Sequence, residues 1–264
     1  MVFNGFGTIF DDFWWPGGRL EIHWIFRSTL GRPQILSMRH VGGNLVATTD
    51  ASNGVIDLGT TTVTGTVALT TNGSGNATFD NASLNIDLAA SNVGGDLTVT
   101  SGAAAGITDS GDVTVGGNFS ATTDANNGVI DLDRMKVDGT FTLAPNNTGA
   151  VTIVNDDGLA LAASTMGGTF SGTATTGDIT DSGALAITGA ATFITGATGS
   201  NIILDHASNA FSSSVEMKAD SGGNEAFGNI TFVDSAAVDL DSSASANGDL
   251  FINASTDGAV GGNL

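Results

Sequence analysis

The run VGGNLVATTDASNGVIDL at 41–58 returns as VGGNFSATTDANNGVIDL at 115–132, identical at 15 of 18 positions and offset by 74 in the numbering. A weaker third copy, ITGAATFITGATGSNIIL, follows at 187–204, offset by a further 72. Other markers keep the same interval. ITDSG recurs at Ile107 and Ile179, 72 apart, and VGG-like turns at Val93 and Met166 lie 73 apart. A chain that copies itself at one fixed interval builds a stack of equivalent units, each burying its face on the next.

A finer step lies inside the long repeat. VGG-like motifs begin at Val41, Val63, Val93, Val115, Val137, Met166 and Ile187, with spacings of 22, 30, 22, 22, 29 and 21. Each long repeat thus holds three turns. Within a turn, short runs such as Asp96-Leu97-Thr98-Val99-Thr100 and Val151-Thr152-Ile153 alternate apolar with polar residues. Alternation over four to six residues, bounded by Gly, Asn and Asp, reads as half-buried strands and is too short for helices. The shorter step also leaves no room for a seven-stranded sandwich domain. The expectation is all-β: a parallel β-helix, or β-solenoid, of about nine to ten coils at ~4.8 Å each, roughly 45 Å long. Its narrow interior is expected to hold ladders of Val, Ile, Leu and Ala rather than large rings, with Asn and Gly supplying the corners.

Composition divides the chain at residue 40. Segment 1–40 carries all three Trp and four of the seven basic residues. It reads as an atypical N-terminal segment, either a cap or sequence foreign to the fold, and not as a signal peptide, having no basic start and no unbroken apolar run. The solenoid is assigned to 41–264, with long repeats near 41–114, 115–186 and 187–264. There Arg134, Lys136 and Lys218 stand against 22 Asp and two Glu, a net charge of −21. Such acidity excludes a nucleic-acid binder, which needs cations to neutralise phosphate. No stretch is apolar enough for a membrane helix. The absence of Cys excludes disulfides and thiolate chemistry. Along the expected rod there is on the order of one charge per 2 Å, so counter-cations, Ca²⁺ among them, are expected to gather without a specific site.

Catalysis on such a scaffold needs paired carboxylates or a placed base. The pairs on offer are Asp131 with Asp133, Asp156 with Asp157, and Asp239 with Asp241. Strict alternation puts Asp131 and Asp133 on one strand face and Arg134 and Lys136 on the other. Asp131 has a counterpart at Asp57 in the sister repeat, as scaffolding does. Arg134 and Lys136 have none, and form the one basic cluster of the solenoid. They read as a salt-bridge patch. His23, His40 and His206 stand apart without metal-ligand spacing. The Thr-rich run from Thr60 to Thr66 suggests an ice-binding face only if a Thr-x-Thr ladder continues from coil to coil, and the sequence copies do not keep one. No catalytic, cofactor-binding or metal residue is nominated.

The runs VGGNFSATTDANNGVIDLD, GITDSGDVTVGGNF and DITDSGALAITGAATFITGATGSNIILDHASNAF resemble the repeat region of filamentous-haemagglutinin-like adhesins, a β-strand-repeat family of large bacterial proteins. The likeness covers 41–264. It implies a right-handed parallel β-helix, export, and a non-enzymatic role as adhesin or stalk on the outer cell surface or secreted, with a host or neighbour-cell surface, glycan or matrix as partner. The chain shows no secretion domain of that family and reads as a piece of a longer product. The alternative is a carbohydrate-active β-helix enzyme, a polysaccharide lyase or hydrolase. Uncapped terminal coils are expected to associate end to end.

Overall fold

In the computed structural model, residues 40–50, 52–219, 228–235 and 239–240 are described in full. So is the backbone of strands Ile22–Phe26, Gln34–Ile35 and Leu250–Ala254. The N-terminal segment otherwise lies outside the described residues. Short strands follow one another from coil to coil, paired in parallel, and there is no helix among the described residues. The fold is a β-solenoid.

A 12-stranded and an 11-stranded sheet run along it, with shorter ladders of three and two strands on the remaining side. The 11-stranded sheet takes one strand from each coil. Eight of its strands, from Ile56–Thr60 to Ile202–Leu204, lie within 52–219, and Ile230–Asp234 and Leu250–Ala254 continue the ladder. At the other end Gln34–Ile35 pairs with Ile56 and Asp57 in this sheet, and Ile22–Phe26 pairs in register with Leu45–Thr49 in the 12-stranded one, so both ladders extend into the atypical segment.

Alternation places the core. In Leu97–Ser101 and Phe119–Thr123 every second side chain is buried. One expectation fails here. Phe79, Phe119, Phe141, Phe170, Phe193 and Phe232 are all fully buried. Phe119 meets Phe141 edge-on at 5.7 Å, and Phe170, Phe193, Phe211 and Phe232 form a chain with centroids 5.1, 6.1 and 5.0 Å apart. Phe119 and Phe141 are register partners in adjacent coils, whereas the rings of Phe170 and Phe193 fit because small residues stack against them. Phe170 pairs with Ala191, and Gly172 with Phe193. A Cβ on Gly172 would stand 2.7 Å from the Phe170 ring and 2.8 Å from Leu159.

The long repeat has its own structural cause. The strand pairs His40–Val41 with Thr62–Val63, and Val113–Val115 with residues 135–137, end where the next coil provides no strand. A buried Asn side chain takes the strand's place. Asn81 Oδ1 accepts from Val63 N at 2.8 Å while its Nδ2 donates to Val63 O at 3.0 Å. Asn155 does the same to Val137, at 2.8 and 3.1 Å. The two plugs are separated by the same offset of 74 as the VGGN runs. Asp234 stands at the third ladder end, accepting from Phe211 N at 3.3 Å. An amide can mimic a peptide group because it carries both an acceptor oxygen and N–H donors.

Candidate functional site

At the ladder end capped by Asn155 the surface departs from its sister copy, carrying Arg134 and Lys136 where that copy carries Thr60 and Thr62. Strand Ile130–Val137 is eight residues long and runs across two faces of the coil. Its register against the next coil shifts between Leu132 and Met135. This bulge overturns the expectation that Asp131 and Asp133 face opposite to Arg134 and Lys136. An extra residue in the strand resets the alternation, so Asp131, Asp133, Arg134 and Lys136 all point outward. The corner is held from the preceding coil. Asp109 accepts from Asp133 N at 3.1 Å and Arg134 N at 2.9 Å. Asp181, the same residue of the second ITDSG, accepts from Asp205 N at 3.0 Å and His206 N at 3.4 Å. Desolvation by burial raises the Asp109 carboxyl above its ordinary value, against the lowering effect of the two N–H donors.

Around this corner lies an open groove of about 390 Å³, lined by Asp112, Asp133, Arg134, Lys136, Asp156 and Thr175, with Val154 at its apolar part. Arg134 spans Asp112 at 3.4 Å and Asp133 at 3.8 Å, so the expected salt-bridge patch forms at Arg134 alone. Lys136 has no ion-pair partner among the described residues. Thr175 donates to Asp156 Oδ1 at 2.9 Å. Coil stacking brings Asp156 and Thr175 here from the following coils, which strand-local reading could not foresee. The usable signal was spacing, since positions about 20 apart become neighbours.

The other candidate pairs come apart. Asp157 caps a turn, accepting from Gly158 N at 2.9 Å, while Asp156 turns to the groove. Asp241 lies outside the described residues, as does the His23 side chain. His40 is exposed, and His206 Nδ1 accepts from Ser208 N at 3.2 Å within its own turn. No group of three or more His, Cys, Asp or Glu is placed to hold a metal among the described residues. Thr61 turns inward to Leu58 O at 2.8 Å, so the 60–66 run forms no flat face. A hydroxyl ladder lies elsewhere, unexpected from the copies: Thr78, Thr98, Ser120 and Thr142 stack in register on the outer side of the 11-stranded sheet.

The sequence profile described as Repeats of unknown function (DUF5649) matches residues 74–144 and again 148–218. The starts of the two matches differ by 74, the offset between the Asn plugs. No curated protein and no solved structure matches the chain.

Proposed function

The chain belongs to the DUF5649 repeat family, and from that premise we propose that it is a structural, adhesive segment of a large secreted or surface-displayed bacterial repeat protein, without catalysis. The observation that carries this reading is the locking of each coil to the next outside the strands themselves. Asn53 Oδ1 accepts from Ser74 N and Ser74 Oγ at 2.9 and 3.0 Å, and Asn127 repeats the contact on Thr148 at 3.3 and 2.7 Å. Asn76 accepts from Asp96 N, Asp96 from Asn118 N, and Asn118 from Thr140 N. Corners tied in series resist bending, which serves a spacer that holds something away from a surface. The resemblance to filamentous-haemagglutinin-like adhesins supports the same reading.

Protease shaving of intact producing cells, followed by mass spectrometry, tests it. Release of peptides from 41–264 is the expected result. Their recovery only after lysis would remove the surface role.

A further inference from the structure

We infer that the groove at the Asn155-capped ladder end is a binding subsite for a neutral, hydroxyl-rich sugar residue. The groove sets carboxylate acceptors on Asp112, Asp133 and Asp156 beside the cationic donors of Arg134 and Lys136 and the hydroxyl of Thr175. Acceptors and donors of both signs within one shallow surface suit vicinal hydroxyls, each of which donates and accepts.

The competing ligand classes fit less well. An acidic ligand meets a chain of formal charge −20 and three carboxylates in the groove. A bare cation meets Arg134 and Lys136, and among the described residues there is no acidic cluster able to hold one. A peptide adding itself as a strand needs open backbone groups at the ladder end. Those are taken: Met135 O accepts from Asp156 N, and Val137 N and O are both bonded to Asn155. Only side chains are left to recognise a partner.

The sister repeat supplies the contrast. At the equivalent ledge, one long repeat earlier, Thr60 and Thr62 stand where Arg134 and Lys136 stand here, and Thr60 is already bonded to Asp80 at 2.8 Å. The plugged ledge recurs while its outward residues change. This is the division expected of a scaffold that varies its ligand contacts.

Such a subsite gives the adhesive reading its partner class and rests on that reading, but the two fail separately: shaving reads display, while sugar binding is read on purified protein. The full chain is titrated with mannohexaose and cellohexaose as neutral probes, and with trigalacturonate and an unrelated hexapeptide as controls. Amide and side-chain NMR shifts of Asp133, Arg134, Lys136, Asp156 and Thr175 are followed. No aromatic ring lines the groove, so affinity of about 1 mM or weaker is expected. The double variant R134T/K136T installs the sister-copy residues and should keep the parent melting temperature while weakening neutral-sugar binding about tenfold or more. Shifts from neither neutral probe overturn the inference, as do shifts from trigalacturonate or the peptide alone, or neutral-sugar binding unchanged in the double variant.

Discussion

A buried amide that stands in for a missing strand is the most demanding residue in this molecule. Asn155 satisfies both backbone groups of Val137 and donates a third bond to Gly158 O at 2.6 Å. Replacing it by Ala leaves a buried N–H and C=O of Val137 without partners, costing about 3 kcal/mol. Amide exchange at Val137 should rise by orders of magnitude, with a lower urea midpoint. Unchanged protection would deny Asn155 this role. Asp109 makes a prediction of opposite sense to the usual acid one. Its carboxyl is raised in the folded state above 3.8, chiefly by desolvation. The stability it contributes is therefore fully present below the unfolded value and is lost as pH rises through the folded one. A ¹³C titration should place Asp109 above the ordinary Asp range. A midpoint at or below it would contradict the burial. Neither role was legible beforehand. Nothing local marks Asn81 or Asn155 in the sequence, because no short pattern says that a polar residue turns inward. The clue was that they share the offset of the louder markers.

At the level of strands and coils, period two and the short step between VGG-like turns announced the parallel ladder. The corner Asn residues were legible too: Asn53 and Asn127 hold φ of 55° and 59°, the left-handed conformation Asn tolerates. The aromatic filling was not legible, because alternation says which side chains point inward and nothing of what stacks above them. Gly172 shows the consequence. It is buried beneath Phe193 and beside Phe170, so Gly172→Val should overpack the interior by about 1–3 kcal/mol, seen as a lower melting temperature and weaker near-UV dichroism. A neutral outcome would mean that the rings have room to spare. The bulge in Ile130–Val137 defeated a different inference. Face assignment by counting in twos holds only while no residue is inserted, and Asp133 and Arg134 straddle the insertion.

Over the whole rod, charge and repeat length govern behaviour. Formal charge −20 makes neighbouring carboxylates repel within a screening length of about 8 Å. Millimolar Ca²⁺ added after chelation should raise the melting temperature, and an unmoved transition would exclude cation collection as a stabilising effect. Excising 82–155 joins Asn81 to Asp156, so that one plug replaces its equivalent from the next long repeat. The shortened chain should fold and lose about three and a half coils, about 17 Å of length at ~4.8 Å each, by small-angle scattering, because the offset carries Ala77–Asn81 of the 11-stranded sheet onto Val151–Asn155 of the 12-stranded one. Removing a single coil instead strands a plug without its ladder end, and should give an unfolded or aggregated product.

The plugs also set how such a rod comes apart when pulled. Coils joined edge to edge peel one at a time, but an amide gripping both backbone groups of a ladder end acts as a latch. Tension applied along the axis should therefore yield in a staircase, each tread releasing the chain between two latches, about 25 nm of slack. For a molecule tethered in flow, that turns one sudden rupture into a series of small concessions.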